Sequence, residues 1–423
     1  MRVQSIREQT TTLLTLRKTV NGLARAGVLR SLRSIRQGRL VLGEGEQHTV
    51  FGESPESAFI AARIDVHNPA LYSLMASHGM VGAGEAYIRG YWNSPDLVAL
   101  VRLFSANLAD TTEMDIRSPM AALLSQLYGF LHRNDLKGSR RNIAAHYDLG
   151  NDFFALFLDP SMMYSAALYR DGARTLEEAS LQKLDTVCRK LALTPDNHLL
   201  EIGTGWGGLA CHAASHYGCR VTTTTISQEQ YNRAHERVRQ MGLEDRVTVL
   251  LEDYRKLTGQ YDKLVSIEMI EAVGHEYYEN YFRQCSQLLR PNGKMVLQAI
   301  LVPDQRYDYA RRNVDFIKRY IFPGGCLPSI GVISDQVARH TDLQVTGVDD
   351  ITYDYVQTLA DWRCRFHASI DQVHAQGFSN EFIRLWDFYL CYCQGGFMER
   401  VIHTAQIELI KPQWRDPRYP VVA

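Results

Sequence analysis

The chain has 423 residues, of which 45% are hydrophobic and 22% charged, and its formal net charge is −1. That balance excludes a disordered chain and is enough for two domains with a sizeable buried core. The eight cysteines form no CxxC pair and have no histidine at zinc-site spacing, so they read as reduced core thiols of a cytoplasmic protein with no metal.

No run of about 18 apolar residues occurs, and the first twenty residues lack the apolar core of a secretory signal. Any membrane contact is therefore expected to be peripheral. Charge is uneven, because residues 1–40 carry nine arginines and lysines against the single acid Glu8. Residues 1–37 read as a basic arm, and Leu23, Val28, Leu29, Leu32 and Ile35 recur near helical spacing between arginines, as an interfacial amphipathic helix requires. Such an arm suits anionic lipid or nucleic acid, and an ordinary solvated helix explains it equally well.

From residue 38 the pattern changes to short strand-like runs, RLVLGE, HTVFGE and SAFIAARIDVH, followed by helical stretches around PALYSLMASHG and PDLVALVRLFSANL. This predicts a small α+β domain over 38–132. Periodicity stops in RNDLKGSRRN, so a linker is placed at 133–142 and a second domain at 143–423. There the runs HLLEIG, CRVTTTTIS, VTVLLED, DKLVSIEM and KMVLQAILV alternate with amphipathic helical segments, which predicts an α/β fold with a mostly parallel sheet and helices on both faces. Two further strands, LQVTGV and AQIELIK, flank a long helical region from about 355 to 402, with Ser379 as a helix N-cap.

The first of these strands ends in Glu201-Ile-Gly203-Thr-Gly205-Trp-Gly207-Gly208 and enters a helix. Glycines there let the backbone approach a ligand at the carboxyl edge of the sheet. Gly203, Gly205 and Gly208 also satisfy the dinucleotide fingerprint, but the second strand ends in hydroxyl residues rather than a ribose-binding acid. Glu201 directly before the turn suits a cationic cofactor without phosphate, and Glu252-Asp253 after the third strand would lie near an adenosine. EIGTGWGG resembles the cofactor loop of class I methyltransferases, with their Rossmann-like, seven-stranded sheet.

The segments AAHYDLGNDFF (144–154), DPSMMYSAALY (159–169), TISQEQ (225–230), KRYIFPGGCLPS (318–329) and DYVQTLADWR (354–363) resemble the cyclopropane fatty acid synthases. GAGEAYIRGYW (82–92) resembles the extra amino-terminal domain of the phospholipid-modifying branch. The resemblance implies transfer of a methyl group from S-adenosyl-L-methionine to the cis double bond of an unsaturated phospholipid acyl chain, with closure to a cyclopropane. It implies cofactor contacts at Tyr164, Ser165, Gly203, Gly205, Thr225, Gln230 and Glu252, joined by Glu201 from the loop reading. A bicarbonate ion would be cradled by Ala166, Glu271, Gln298, Ile300 and Tyr355, and Tyr147, Glu271, Gln298 and Tyr355 are the implied catalytic residues.

Two cradle side chains depart from the family pattern: Ala166 replaces cysteine, and Gln298 replaces histidine, exchanging a titratable donor for a neutral amide that cannot relay a proton. Bicarbonate binding is therefore left open, and so is the product, a ring or a methyl- or methylene-branched chain. A non-enzymatic lipid-surface or nucleic-acid binding protein is the remaining alternative. The resemblance also implies a homodimer peripherally attached to the inner face of the membrane, with no nucleic-acid partner. Aromatic residues including Phe316, Phe366, Phe382, Trp386 and Phe388 are candidates for an acyl tunnel, although an apolar stripe at helical spacing is more often core.

Overall fold

The computed structural model describes residues 21–108 and 149–416. The chain divides into two compact units, Met1–Leu127 with Gly377–Glu399, and Tyr128–Gln376 with Arg400–Ala423. The expected linker at 133–142 lies outside the described residues.

The first unit holds a four-stranded sheet in the order β2-β1-β3-β4, with β1 Arg39–Glu44, β2 Gln47–Gly52, β3 Ala61–Val66 and β4 Trp92–Asn93. β1 runs antiparallel to β2 and parallel to β3. Alternation places Leu40 and Leu42 of β1 in the core, as a half-buried strand requires. Residues 21–32 are helical, and Val28, Leu32 and Ile35 are buried whereas Arg30, Arg33 and Arg36 are exposed. The expectation of a separate basic arm is corrected for this stretch: its apolar stripe is consumed by packing, and the Arg25 guanidinium is tied to Glu44. Nothing apolar on that stripe except Leu23 remains exposed for a membrane.

The helix Asn380–Met398 also belongs to the first unit, where it packs against the helices Ala70–Ile88 and Leu97–Ala106. A continuous catalytic segment over 143–423 is thus modified by an excursion into the first unit. Phe388 sits 5.4 Å from Tyr87 and 6.4 Å from Trp92, ring to ring, and Arg384 lies 3.8 Å above the Tyr87 ring. Trp386 and Phe388 are core residues of this unit. Ser379 caps the helix, accepting from the Phe382 amide at 3.3 Å.

The second unit is built on a seven-stranded sheet in the order β10-β11-β9-β8-β5-β6-β7. The strands are β5 His198–Ile202, β6 Arg220–Thr225, β7 Val247–Leu251, β8 Tyr261–Ile267, β9 Leu289–Leu301, β10 Gln344–Asp350 and β11 His403–Ile410. β5 to β9 pair in parallel, and β11 runs antiparallel to both β9 and β10. Successive strand residues feed opposite faces, so both faces must be covered. Leu200 and Leu264 meet Tyr281, Phe282 and Ile333 on one face, while Leu199 and Val265 meet Leu184, Val187 and Leu209 on the other. The expected α/β class I methyltransferase architecture is what the chain adopts.

Among the described residues no helix is long and apolar enough to cross a membrane, and no cluster of three potential metal ligands occurs. The helix Leu176–Leu191, which covers one face of the sheet, starts in a reciprocal cap: Thr175 accepts from the Glu178 amide, and Glu178 accepts from the Thr175 amide. Thr175→Ala is expected to cost about 1 kcal/mol locally. Amide exchange in the first turn of that helix should accelerate about fivefold by mass spectrometry or NMR.

Candidate active site

The carboxyl ends of β5, β6 and β8 converge on the glycine turn. The Gly203 and Thr204 amides both donate to the Thr224 carbonyl at 3.0 Å, so the turn is anchored on the neighbouring strand. Gly203, Gly205 and Gly207 have φ values of +102°, +51° and +81°, a region where a side chain is strained. A Cβ at Gly208 would lie 2.6 Å from the Ser161 carbonyl oxygen, so the DPSMMYS segment crosses directly over the start of the helix Gly208–Tyr217. The Arg237 guanidinium holds it there by donating to the Ser161 and Pro160 carbonyls. Trp206 fixes the other side through its indole N–H on Asn151 at 2.6 Å.

Tyr164 packs between Phe154 and Trp362, each 5.2 Å away ring to ring. Ser165 is buried and its hydroxyl accepts from the Lys183 ammonium at 2.8 Å. At the end of β6 the Thr225 hydroxyl donates to the Gln230 side-chain oxygen at 2.7 Å, a neutral pair in the place of an acidic ribose anchor. Glu252 stays 40% exposed after β7, while Asp253 beside it is buried and paired with Arg255 at 2.6 Å.

Glu201 is buried beneath the turn, where the Thr223 hydroxyl donates to its Oε2 at 2.6 Å and lies 2.7 Å from the Thr204 hydroxyl. Burial pushes its carboxyl up to about 8. Glu201 therefore shapes the turn and its field from below. Taken together, backbone exposed by three positive-φ glycines, the Thr225–Gln230 pair, a half-exposed acid and aromatic walls fit a cationic adenosyl cofactor with no phosphate to hold.

The cradle positions expected for bicarbonate also come together, but around a residue that the sequence reading passed over. The Glu268 carboxylate accepts from the Ala166 amide at 2.9 Å and the Gln298 side-chain amide at 2.8 Å on Oε1, and from the Tyr355 hydroxyl at 2.8 Å on Oε2. Glu271 accepts from the Ile300 amide, and its Oε2 has no hydrogen-bond partner among the described residues. Desolvation raises the Glu271 carboxyl to about 8, helped by the neighbouring charge of Glu268. Burial likewise raises Glu268 and lowers Lys183 to about 8, with Glu268, Asp159 and Glu201 as the nearest counter-charges of that lysine. The site does not fit a free bicarbonate ion, since its donors are already taken by two carboxylates of the chain, Glu268 and Glu271. Tyr147 lies outside the described residues.

Lys183 was missed because a lysine at helical spacing reads as solvent-facing. Glu268 was missed because SIEMI reads as an apolar strand end. The available signal was the i, i+3 spacing of two acids, Glu268 and Glu271, just beyond β8.

Gly203→Val would set a branched side chain at positive φ with its Cβ 3.3 Å from Met269. Calorimetric affinity for S-adenosylhomocysteine should fall at least about tenfold, the equivalent of strain on the order of 1–3 kcal/mol. Glu271 titrates near 8 when folded against 4.5 when unfolded. The folded state thus holds a proton that the unfolded chain has lost, and stability from this group declines as pH rises through that window. Thermal melting between about pH 5 and pH 8.5 should show a shallower decline for Glu271→Gln, with a residue of slope left by Glu201.

The profile of the mycolic acid cyclopropane synthetase family matches residues 134–407. The chain is 36% identical to the cyclopropane-fatty-acyl-phospholipid synthase of Escherichia coli K12, over 82% of its length and 87% of that protein. It is also 36% identical to the tuberculostearic acid methyltransferase UfaA1 of Mycobacterium tuberculosis, over 83% of its length and 84% of that protein. Among solved structures it is similar to the mycolic acid cyclopropane synthase CmaA1 complexed with SAH and CTAB, with 32% identity, a TM-score of 0.61 and coverage of 64% of this chain and 98% of the other. Sheet order, glycine turn and these likenesses agree: the chain belongs to the cyclopropane synthase family of S-adenosylmethionine-dependent methyltransferases.

Proposed function

We propose that the protein methylates the cis double bond of an unsaturated acyl chain in a membrane phospholipid and closes the product to a cyclopropane. The observation that carries this reading is the extent of the likeness. The phospholipid synthase aligns over 82% of the chain, whereas a mycobacterial cyclopropane mycolic acid synthase aligns over 55%. The additional alignment requires sequence beyond the catalytic fold, in the unit that carries the GAGEAYIRGYW segment.

Bound S-adenosylmethionine supplies a methyl group on a sulfonium, which is already an activated leaving group. The protein's own task is to position, to exclude water and to manage charge. The glycine turn and the Thr225–Gln230 pair position the cofactor at the sheet edge. Tyr164, Trp362 and Phe154 present aromatic faces, which favour a cationic centre through their quadrupoles. The half-buried Glu268 and Glu271, both largely desolvated, offer acceptors to a transient carbocation.

A second reading, a methyl- or methylene-branched product, is favoured by the equal identity to the tuberculostearic acid methyltransferase. We also propose peripheral attachment to the cytoplasmic face of the membrane, where the exposed Arg30, Arg33 and Arg36 would meet anionic headgroups. A homodimer without nucleic acid is carried by the family resemblance, and sedimentation of the full chain checks it.

Purified protein would be given vesicles of cis-unsaturated phospholipid and S-adenosylmethionine with a fully deuterated methyl, and the released fatty acids weighed. The expected product keeps two deuteriums, loses one and resists hydrogenation, as a ring does. A product that is reduced by hydrogenation would establish the branched reading instead. No label in lipid would overturn both.

A further inference from the structure

The polarity of the hydrogen bonds around Glu268 is fixed from a distance. The Lys190 ammonium can only donate, and it donates to the Gln406 side-chain oxygen at 2.7 Å. Gln406 must then turn its NH2 group to the Gln298 oxygen, at 2.9 Å. Gln298 in turn must offer its NH2 group to the Glu268 Oε1 and, at 3.3 Å, to the Ala166 carbonyl. Two amides thus carry the orientation set by one cation across the sheet, and Gln298 is locked as a donor that cannot exchange roles.

Oε1 of Glu268 accepts from both the Ala166 amide and Gln298, which uses both of its lone pairs. Oε2 accepts only the Tyr355 hydroxyl among the described contacts, which leaves one lone pair. Glu268 holds this place in a left-handed backbone conformation, φ +47°, with its own amide bonded to the Gln298 carbonyl at 2.8 Å. A non-glycine residue is kept there only when its surroundings over-determine it. The O–C–O unit of its side chain has the shape and charge of the same unit in bicarbonate, and it takes three of the donors expected for that ion, on Ala166, Gln298 and Tyr355.

We propose that Glu268 is the base of the ring-closing step, a carboxylate of the chain in place of a free bicarbonate ion; this rests on the function proposed above. The alkene carbon bonds to the methyl carbon as the carbon–sulfur bond breaks and its electron pair stays on sulfur. Oε2 of Glu268 then takes a proton from the transferred methyl carbon. The C–H electron pair closes the third ring bond onto the cationic carbon, leaving S-adenosylhomocysteine, the cyclopropane and a neutral Glu268, which returns its proton to solvent before the next turnover. Burial strengthens the carboxylate as a base, and Glu271 beside it, largely protonated near neutrality, keeps a second charge from forming at the same place.

The test uses the full-length protein in buffer stripped of carbon dioxide, with the same vesicles and deuterated cofactor. Wild type is expected to form ring at one rate with or without added bicarbonate. Glu268→Gln should lose ring formation by about 10²-fold or more while S-adenosylhomocysteine binding is retained. Glu268→Gly empties the cradle, and its ring formation should return on adding bicarbonate. In the absence of cofactor and lipid, the carbon-13 NMR line of labelled bicarbonate should broaden with Glu268→Gly and not with wild type. A wild-type rate that rises with bicarbonate, or a wild-type NMR line that broadens, would overturn the proposal without any variant having to fold. Full ring formation by Glu268→Gln would overturn it too. If wild type transfers no methyl to lipid, the underlying function fails, and the NMR comparison still decides whether Glu268 fills the anion site.

Discussion

A buried carboxylate must be met by donors or it will not stay charged, and in this protein that requirement organises the middle of the large sheet. Gln298 and Gln406 are register partners on β9 and β11, and Ile267, the residue before Glu268, pairs with Gln298 across β8 and β9. The line from Glu268 through Gln298 and Gln406 to Lys190 therefore follows the pairing of three adjacent strands. A slip of one residue in either pairing would turn these amides to the opposite face and leave the charge unsatisfied. Lys190 is itself anchored on Asp349 of β10 at 2.7 Å, so all four strands at that side of the sheet share one polar line.

The same constraint explains why a titratable histidine can be missing from the cradle. A histidine at the Gln298 position would be useful where a proton has to be passed to or from a free ion. An amide clamped between Glu268 and Gln406 does something different, since it stabilises a fixed carboxylate and cannot take the proton away. A second anion next to Glu268 would place two negative charges about 4 Å apart, unfavourable by roughly 4 kcal/mol at an effective dielectric of about 20. Ala166 is compatible with this arrangement because only its backbone amide is used.

Much of this was legible in the sequence, for identifiable reasons. The strands of the second unit are apolar runs bounded by turn residues, and β5 leads into a turn whose positive φ values favour glycine. The cradle residues Ala166, Gln298 with Ile300, and Tyr355 come from three separate stretches, and only the family likeness joined them. Glu268 escaped because its role depends on a left-handed backbone and on partners 30 and 87 residues away in the chain, none of which leaves a local pattern. The apolar stripe of residues 21–35 and the aromatic helix Asn380–Met398 were legible as amphipathic or apolar, but periodicity does not say what covers a face. Both were used for packing within the first unit.

An internal base changes the demands on the active site. A free ion has to be bound from solution before each turnover, and its affinity limits how often the cation meets a base. A side chain in the same position is present at an effective concentration that no dissolved ion reaches. The corresponding requirement falls on the backbone, which must hold a glutamate at φ +47°. That strain, on the order of 1–3 kcal/mol, is offset by the three donors on the carboxylate and by the Glu268 amide on β9. The strained residue and the strand register are thus mutually dependent, because the hydrogen bonds that hold Glu268 exist only when β8, β9 and β11 are paired as they are.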